Sequence, residues 1–186
     1  SLNAVLPPAI GVHRITEVTE SFHPIRSSKG KVYCYSLCLG QCTSPFLKQY
    51  FWEVKENLDL EKLEKALSIF VGTHDFSAFC SSDTSAKTKT RTIHEVKIKV
   101  HSEGVVNIWI SGSGFLKQMI RIIVGTIVEV AANKRALESV KSALEIGDRR
   151  LCGRTAPAKG LFLMKISYDT TPTIDSVVDS HLCSNF

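Results

Sequence analysis

No run of 18 apolar residues occurs anywhere in the chain, so no helix crossing a membrane is expected. The opening stretch SLNAVLPPAI has neither a basic n-region nor a long apolar core, and no secretory signal is read there. Paired CxxC spacing is also missing: Cys34, Cys38, Cys42, Cys80, Cys152 and Cys183 are scattered, which argues against a zinc finger and leaves no metal expected. The reading is then of reduced thiols in a cytosolic protein. Cys34 and Cys38, two alternations apart, share one side of a strand as small hydrophobes. Internal repeats and low-complexity tracts are absent as well.

What is present is an ordinary globular composition, 44% hydrophobic and 22% charged over 186 residues. That length allows one substantial core or two small lobes sharing one. The net charge of +5 suits a polyanionic partner without demanding one.

KVYCYSLCL, residues 31–39, alternates and is rich in β-formers, so it predicts a strand. LKQYFWEV is a short strand or an irregular segment. Asp59 is placed as the N-cap of a helix over LEKLEKALSIF, with Leu60, Leu63, Leu67 and Phe70 on one face and Gly72 as its stop. A hairpin follows over TIHEVKIKVHSEGVVNIWISG, its turn near Ser102–Gly104. Two helices are then predicted, over about 115–131 and about 135–146, the second with Leu137, Val140 and Leu144 inward and closed by Gly147. LFLMKISY is the last strand, and the tail after Tyr168 is polar and expected to be poorly ordered. The order β-α-β-β-α-α-β indicates an α+β fold with a largely antiparallel sheet.

The first of those two helices contains FLKQMIRIIVG, an apolar stretch with one arginine, Arg121. At about 100° per residue, Phe115, Leu116, Met119, Ile120, Ile122, Ile123, Val124, Ile127 and Val130 cover a wide apolar arc. Lys117, Gln118, Arg121 and Gly125 share the narrow remaining strip. Periodicity alone makes this strip a polar face in water. Two details argue back. Lys117 and Arg121 form a like-charge pair four apart, costing about 0.2–0.5 kcal/mol in an isolated helix. Gly125 costs up to ~1 kcal/mol against Ala in a helix interior. Both make sense if an anion, or another backbone, lies against the strip.

The same stretch, preceded by GSG and followed by TIVEV, resembles the C-terminal motif of the TruA family of tRNA pseudouridine synthases. LNAVLPPAI resembles that family's LN..LP.DI, and SFHPIRSSKGKVYCY its FHARFSA..R.Y.Y. FVGTHDFSAF is similar to L.G.HDF..F, KTRTI to R.T.I, and APAKGLFLMKISY to A.A.GL.L..V.Y. The matches are collinear over about residues 2–168.

The resemblance implies a pseudouridine synthase fold, a sheet flanked by helices with a cleft between two lobes. It implies an isomerase acting on uridine in the anticodon stem-loop of tRNA, homodimeric, cytoplasmic, and without metal or organic cofactor. Tyr33 matches the tyrosine that packs against the target nucleotide; a flipped base needs such a stacking surface. Its alternative is a half-buried strand tyrosine. Arg121 matches the arginine that pairs with the catalytic aspartate, a fitting partner for a carboxylate that must stay ionised.

The family's aspartate lies in a GRTD.GVHA motif upstream of LN..LP, and the 186 residues contain no such motif. GRTA at Gly153–Ala156 is a decoy, with Ala in place of Asp, and IGVHRI echoes only part of the motif. Asp75 in THDF is read as a turn-forming or capping residue and not as a nucleophile. Residues 1–168 are therefore taken as the C-terminal, catalytic and RNA-binding portion of such an enzyme, inert alone, and 169–186 as a polar tail. A non-catalytic RNA-binding module derived from the family is the alternative, and an RNA-independent dimerisation domain a more distant one. FHPIRSS also departs from the family pattern, with Pro24 and Ile25 where Ala and Arg are expected. Arg26, one place later, is a candidate RNA contact together with Lys29 and Lys31. Lys87, Lys89 and Arg91 supply further positive charge, each equally readable as a solvated loop residue.

Overall fold

The computed structural model describes residues 2–41, 44–46, 48–101 and 104–178. Its strands are β1 (Gly30–Leu39), β2 (Trp52–Val54), β3 (Gly72–Asp75), β4 (Thr90–Val100), β5 (Val105–Gly112) and β6 (Leu161–Ser167). Its α-helices are α1 (Leu60–Ser68), α2 (Met119–Ala131), α3 (Glu138–Ile146) and the short α4 (Asp175–Val178). Among the described residues the six strands form one sheet in the order β2-β1-β5-β4-β3, with β6 also on β1. Only the β1–β2 pairing is parallel. The fold is the expected α+β, a largely antiparallel sheet flanked by helices.

β1 carries the architecture. Its first half pairs with β6 from Gly30 to Tyr35, and its last residues pair with β2 along the same edge. The whole opposite edge is taken by β5. Alternation sends Tyr35 and Leu37 into the main core, with the buried faces of α1 and α2. Val32 and Cys34 go to the reverse face, where they meet Trp109, Ile174 and Val177. Cys38, the other cysteine placed on that side, is buried as well; Cys42 and Cys183 lie outside the described residues.

The locally signalled elements form where expected. Asp59 caps α1, its carboxylate accepting from the Lys62 N–H at 3.0 Å. Asp59→Ala is therefore expected to cost about 1 kcal/mol, read as a lowered urea midpoint. Val140 on α3 is buried, Leu137 and Leu144 are packed against the core, and Gly147 closes the helix at φ +77°. Of the hairpin turn, Ser102 and Glu103 lie outside the described residues.

Other elements differ. α1 ends at Ser68, and Gly72 opens β3 at φ +113° instead of stopping the helix. α2 begins at Met119, four residues later than periodicity indicates. Phe115 to Gln118 are held by tertiary contacts: the Phe115 ring meets Tyr33, and the Lys117 carbonyl accepts from the Ser81 N–H at 3.0 Å. Gln118 then enters the helix in the left-handed region at φ +68°. The segment after Tyr168 is not loose up to Val178. Ser111 Oγ donates to the Pro172 carbonyl at 2.6 Å and the Ile174 N–H donates to Glu95 at 2.8 Å. Ile174 and Val177 are thereby seated on the back of the sheet. No helix of the described residues is long and apolar enough to cross a membrane.

Candidate active-site face on helix α2

The polar strip of α2 does not face open water. Its partner is backbone, the segment 151–157 that contains GRTA. Arg121 Nε donates to the Ala156 carbonyl at 2.6 Å, and the Ala156 N–H returns a bond to the Arg121 carbonyl at 3.0 Å. One turn on, a Cβ added to Gly125 would stand 1.7 Å from the Arg154 carbonyl oxygen, so only glycine permits this approach. A turn further, Glu129 accepts from the Arg154 N–H at 2.9 Å. Thr126 Oγ1 accepts from the Gly153 N–H at 2.9 Å and donates to the Ile122 carbonyl.

Side chains on the far side complete the clamp. Arg135 pairs with Glu129 at 3.0 Å and donates to the Leu151 and Cys152 carbonyls. Arg149 donates to the Gly153 carbonyl and to Thr155 Oγ1. Tyr35, from β1, donates its hydroxyl to the Pro157 carbonyl at 2.6 Å. Burial pushes the Tyr35 hydroxyl well above the usual phenol range, against the pull of Arg121 and Arg154. A fixed loop therefore holds Arg121 in place by its Nε. Among the described residues no carboxylate pairs with Arg121. Its remaining N–H groups suit an anion of planar, two-oxygen geometry.

Tyr33 stands two residues before Tyr35 on the same face of β1, half-buried, with Phe115 edge-on at 5.1 Å between ring centres. Burial raises its hydroxyl pKa. β1 and the 151–157 loop thus bring Tyr35 and Arg121 onto adjoining carbonyls, with Tyr33 two residues along the strand. Lys31 begins the same strand face and is half-buried. Lys29 is exposed, its N–H donating to the Ser167 carbonyl at 2.8 Å. Arg26 is exposed in a turn where His23 Nδ1 accepts from the Ile25 and Arg26 N–H groups. No hydrogen bond, ion pair or ring contact links Arg26 or Lys29 to Tyr33 or Arg121 among the described residues. Asp75 behaves as a turn residue: its carboxylate accepts from the Ser77 N–H at 2.8 Å and from the Ser77 hydroxyl, which holds its pKa down. Lys117, one of the strip residues, turns away to Asp83.

The residues that sequence reasoning missed are Thr126, Glu129, Arg135, Arg149 and Arg154. A signal existed for one of them. Arg121, Gly125 and Glu129 stand four apart, so helical spacing extends the strip to Glu129. Cys152, inside the clamp, has its thiol pushed up to about 11 by burial, against the opposing pull of Arg149 and Arg135. It is expected to resist alkylation at about pH 8 until the chain unfolds, as counted by mass spectrometry. The unfolded chain loses this proton first, so the contribution of Cys152 to stability falls as pH rises from its ordinary value of 9.0 to about 11.

The fold and this face define a class. Residues 66–169 match the family model described as tRNA pseudouridine synthase. Relatives over nearly the whole chain narrow it further. The tRNA pseudouridine synthase A of Geobacillus sp. (strain WCH70) is 40% identical, over 91% of this chain and 68% of that protein. That of Acetivibrio thermocellus is 42% identical over 90% and 68%, and that of Bacillus licheniformis 39% identical over 91% and 68%. The chain belongs to the tRNA pseudouridine synthase A family. Among solved structures, a chain of the crystal structure of a Cbf5-Nop10-Gar1 complex is only slightly similar. Its TM-score is 0.33 at 13% identity, over 56% of this chain and 28% of that chain, too little to bear on fold or function.

Proposed function

We propose that this chain carries the arginine and tyrosine side of the active site of an enzyme that converts uridine to pseudouridine in tRNA. The observation that carries the reading is the anchored arginine. Arg121 is fixed through Nε and has no carboxylate partner among the described residues. It is thereby ready to hold an aspartate ionised at the reacting nucleotide. That aspartate belongs to the GRTD motif, which the 186 residues do not contain. The reaction is therefore assigned to the protein that carries this chain together with that motif.

Uridine and pseudouridine are isomers, so nothing is consumed and no cofactor is called for. The C1′–N1 bond breaks, a C1′–C5 bond forms, and the proton on C5 ends on N1. A base that is detached and turned has lost its neighbours in the stack. The half-buried Tyr33 ring, braced by Phe115, supplies a flat surface in their place. We assign Arg26, Lys29 and Lys31 as phosphate contacts, by the family likeness and their positive charge. By the same family likeness we assign the anticodon stem-loop as the target region, a homodimer as the working form, and the cytoplasm as its place.

The test is to incubate the full-length protein with unmodified tRNA transcripts and map pseudouridine chemically. New pseudouridine in the anticodon arm is expected. Its absence, with the protein folded and tRNA bound, would leave only a non-catalytic RNA-binding module.

A further inference from the structure

The loop that anchors Arg121 also presents a second cation. Arg154 is exposed, yet its backbone is among the most constrained in this region. Its N–H is held by Glu129, and its carbonyl is pressed against Gly125. Its guanidinium carbon lies 4.8 Å from the ring centre of Trp52, which is itself 6% exposed in β2. Among the described residues no carboxylate pairs with Arg154. Glu56, whose ionisation Arg154 does influence, is already paired with Lys134.

A guanidinium held over a buried aromatic ring is positioned by that contact while its N–H groups stay available to other partners. That arrangement matches the oxygens of a phosphate and gives up little further side-chain freedom on binding. The position matches as well. Trp52, under Arg154, meets Tyr35 edge-on at 6.3 Å between ring centres, Tyr35 donates to the Pro157 carbonyl, and the adjoining Ala156 carbonyl accepts from Arg121. We propose that Arg154 is a substrate-binding residue that grips a backbone phosphate of the RNA next to the target nucleotide, with Trp52 as its platform. This rests on the proposed function, since it takes the anion to be RNA. Arg121 and Arg154 then divide the work: one serves the reacting carboxylate, the other sets the strand's register beside it.

The experiment measures binding of unmodified tRNA to the full-length protein across a series of salt concentrations. It compares the native protein with Arg154→Gln and Arg154→Lys. Both substitutions keep the backbone bonds to Glu129 and the contact with Gly125, and thermal melting verifies the fold. Losing one phosphate contact should lower the slope of log K against log salt by about 0.7–0.9 in Arg154→Gln, and weaken binding roughly five- to eightfold at about 0.1 M salt. Arg154→Lys should keep the native slope, with an intermediate affinity. An unchanged slope in Arg154→Gln, or a lysine variant whose slope matches that of glutamine, overturns the assignment. A native protein without salt-dependent tRNA binding overturns the proposed function itself, so the two failures are distinguishable.

Discussion

Arg121→Ala in the full-length protein should abolish most pseudouridine formation, lowering kcat by about a hundredfold or more, the usual scale for losing one preorganised charge at a reacting centre. The fold should survive. The substitution removes one side-chain bond, from Nε to the Ala156 carbonyl, worth about 1 kcal/mol. The returning bond, from the Ala156 N–H to the Arg121 carbonyl, is made by backbone and remains. Because Arg121 acts on the carboxylate rather than on tRNA docking, KM should move far less than kcat. Arg121→Lys should recover little: a lysine has no Nε to anchor on Ala156 while a fork of N–H groups stays free. Single-turnover assays on the tRNA transcript measure this directly. Near-native turnover in Arg121→Ala would show that Arg121 is only a structural clip between helix and loop.

Gly125→Ala should produce the largest loss of stability, and helix propensity points the opposite way. Propensity alone favours alanine by up to ~1 kcal/mol at a helix interior. The structure places the added carbon 1.7 Å from the Arg154 carbonyl oxygen and 3.2 Å from the Ala156 nitrogen. Both obstacles are backbone, tied down by Glu129 and Arg121, so neither can swing aside. The loop must lift, breaking several bonds of the clamp, and the expected cost is about 3–5 kcal/mol. Urea unfolding followed by circular dichroism gives the number. A midpoint unchanged or raised would mean that the loop does not seat on the helix.

Much of the fold is legible where its signals are local. The 4-5 hairpin, α1 with Asp59 and α3 with Gly147 each carry their own period and cap. β3 carries neither. Gly72, Thr73, His74 and Asp75 show no apolar alternation, and their strand character comes from pairing with Ile93 to Thr90 on β4. α4 is equally silent: Ile174, Val177 and Val178 are scattered apolar residues in a polar stretch, and what orders them is the sheet's reverse face. At the site, the sequence pattern located the strip and the need for a neighbour, but not which neighbour. By residue type GRTA is a decoy, since it lacks an aspartate. Its value is its backbone, which supplies the carbonyls and N–H groups that Arg121, Thr126, Glu129 and Arg149 hold. No residue-type motif shows a function carried by main-chain atoms.

The position of β1 has a consequence for how the molecule is made. A strand near the start of the chain, residues 30–39, takes its neighbours from residues 52–54, 105–112 and 161–167. Among the six described strands it emerges first during synthesis and is fully paired only once the sixth is made. Until β6 leaves the ribosome, the edge of β1 that carries Tyr33 and Tyr35 is uncovered, and the Pro157 carbonyl that receives the Tyr35 hydroxyl is not yet in place. Assembly of the active-site face is thus postponed until nearly the whole sheet exists, with the slow kinetics that such long-range pairing brings.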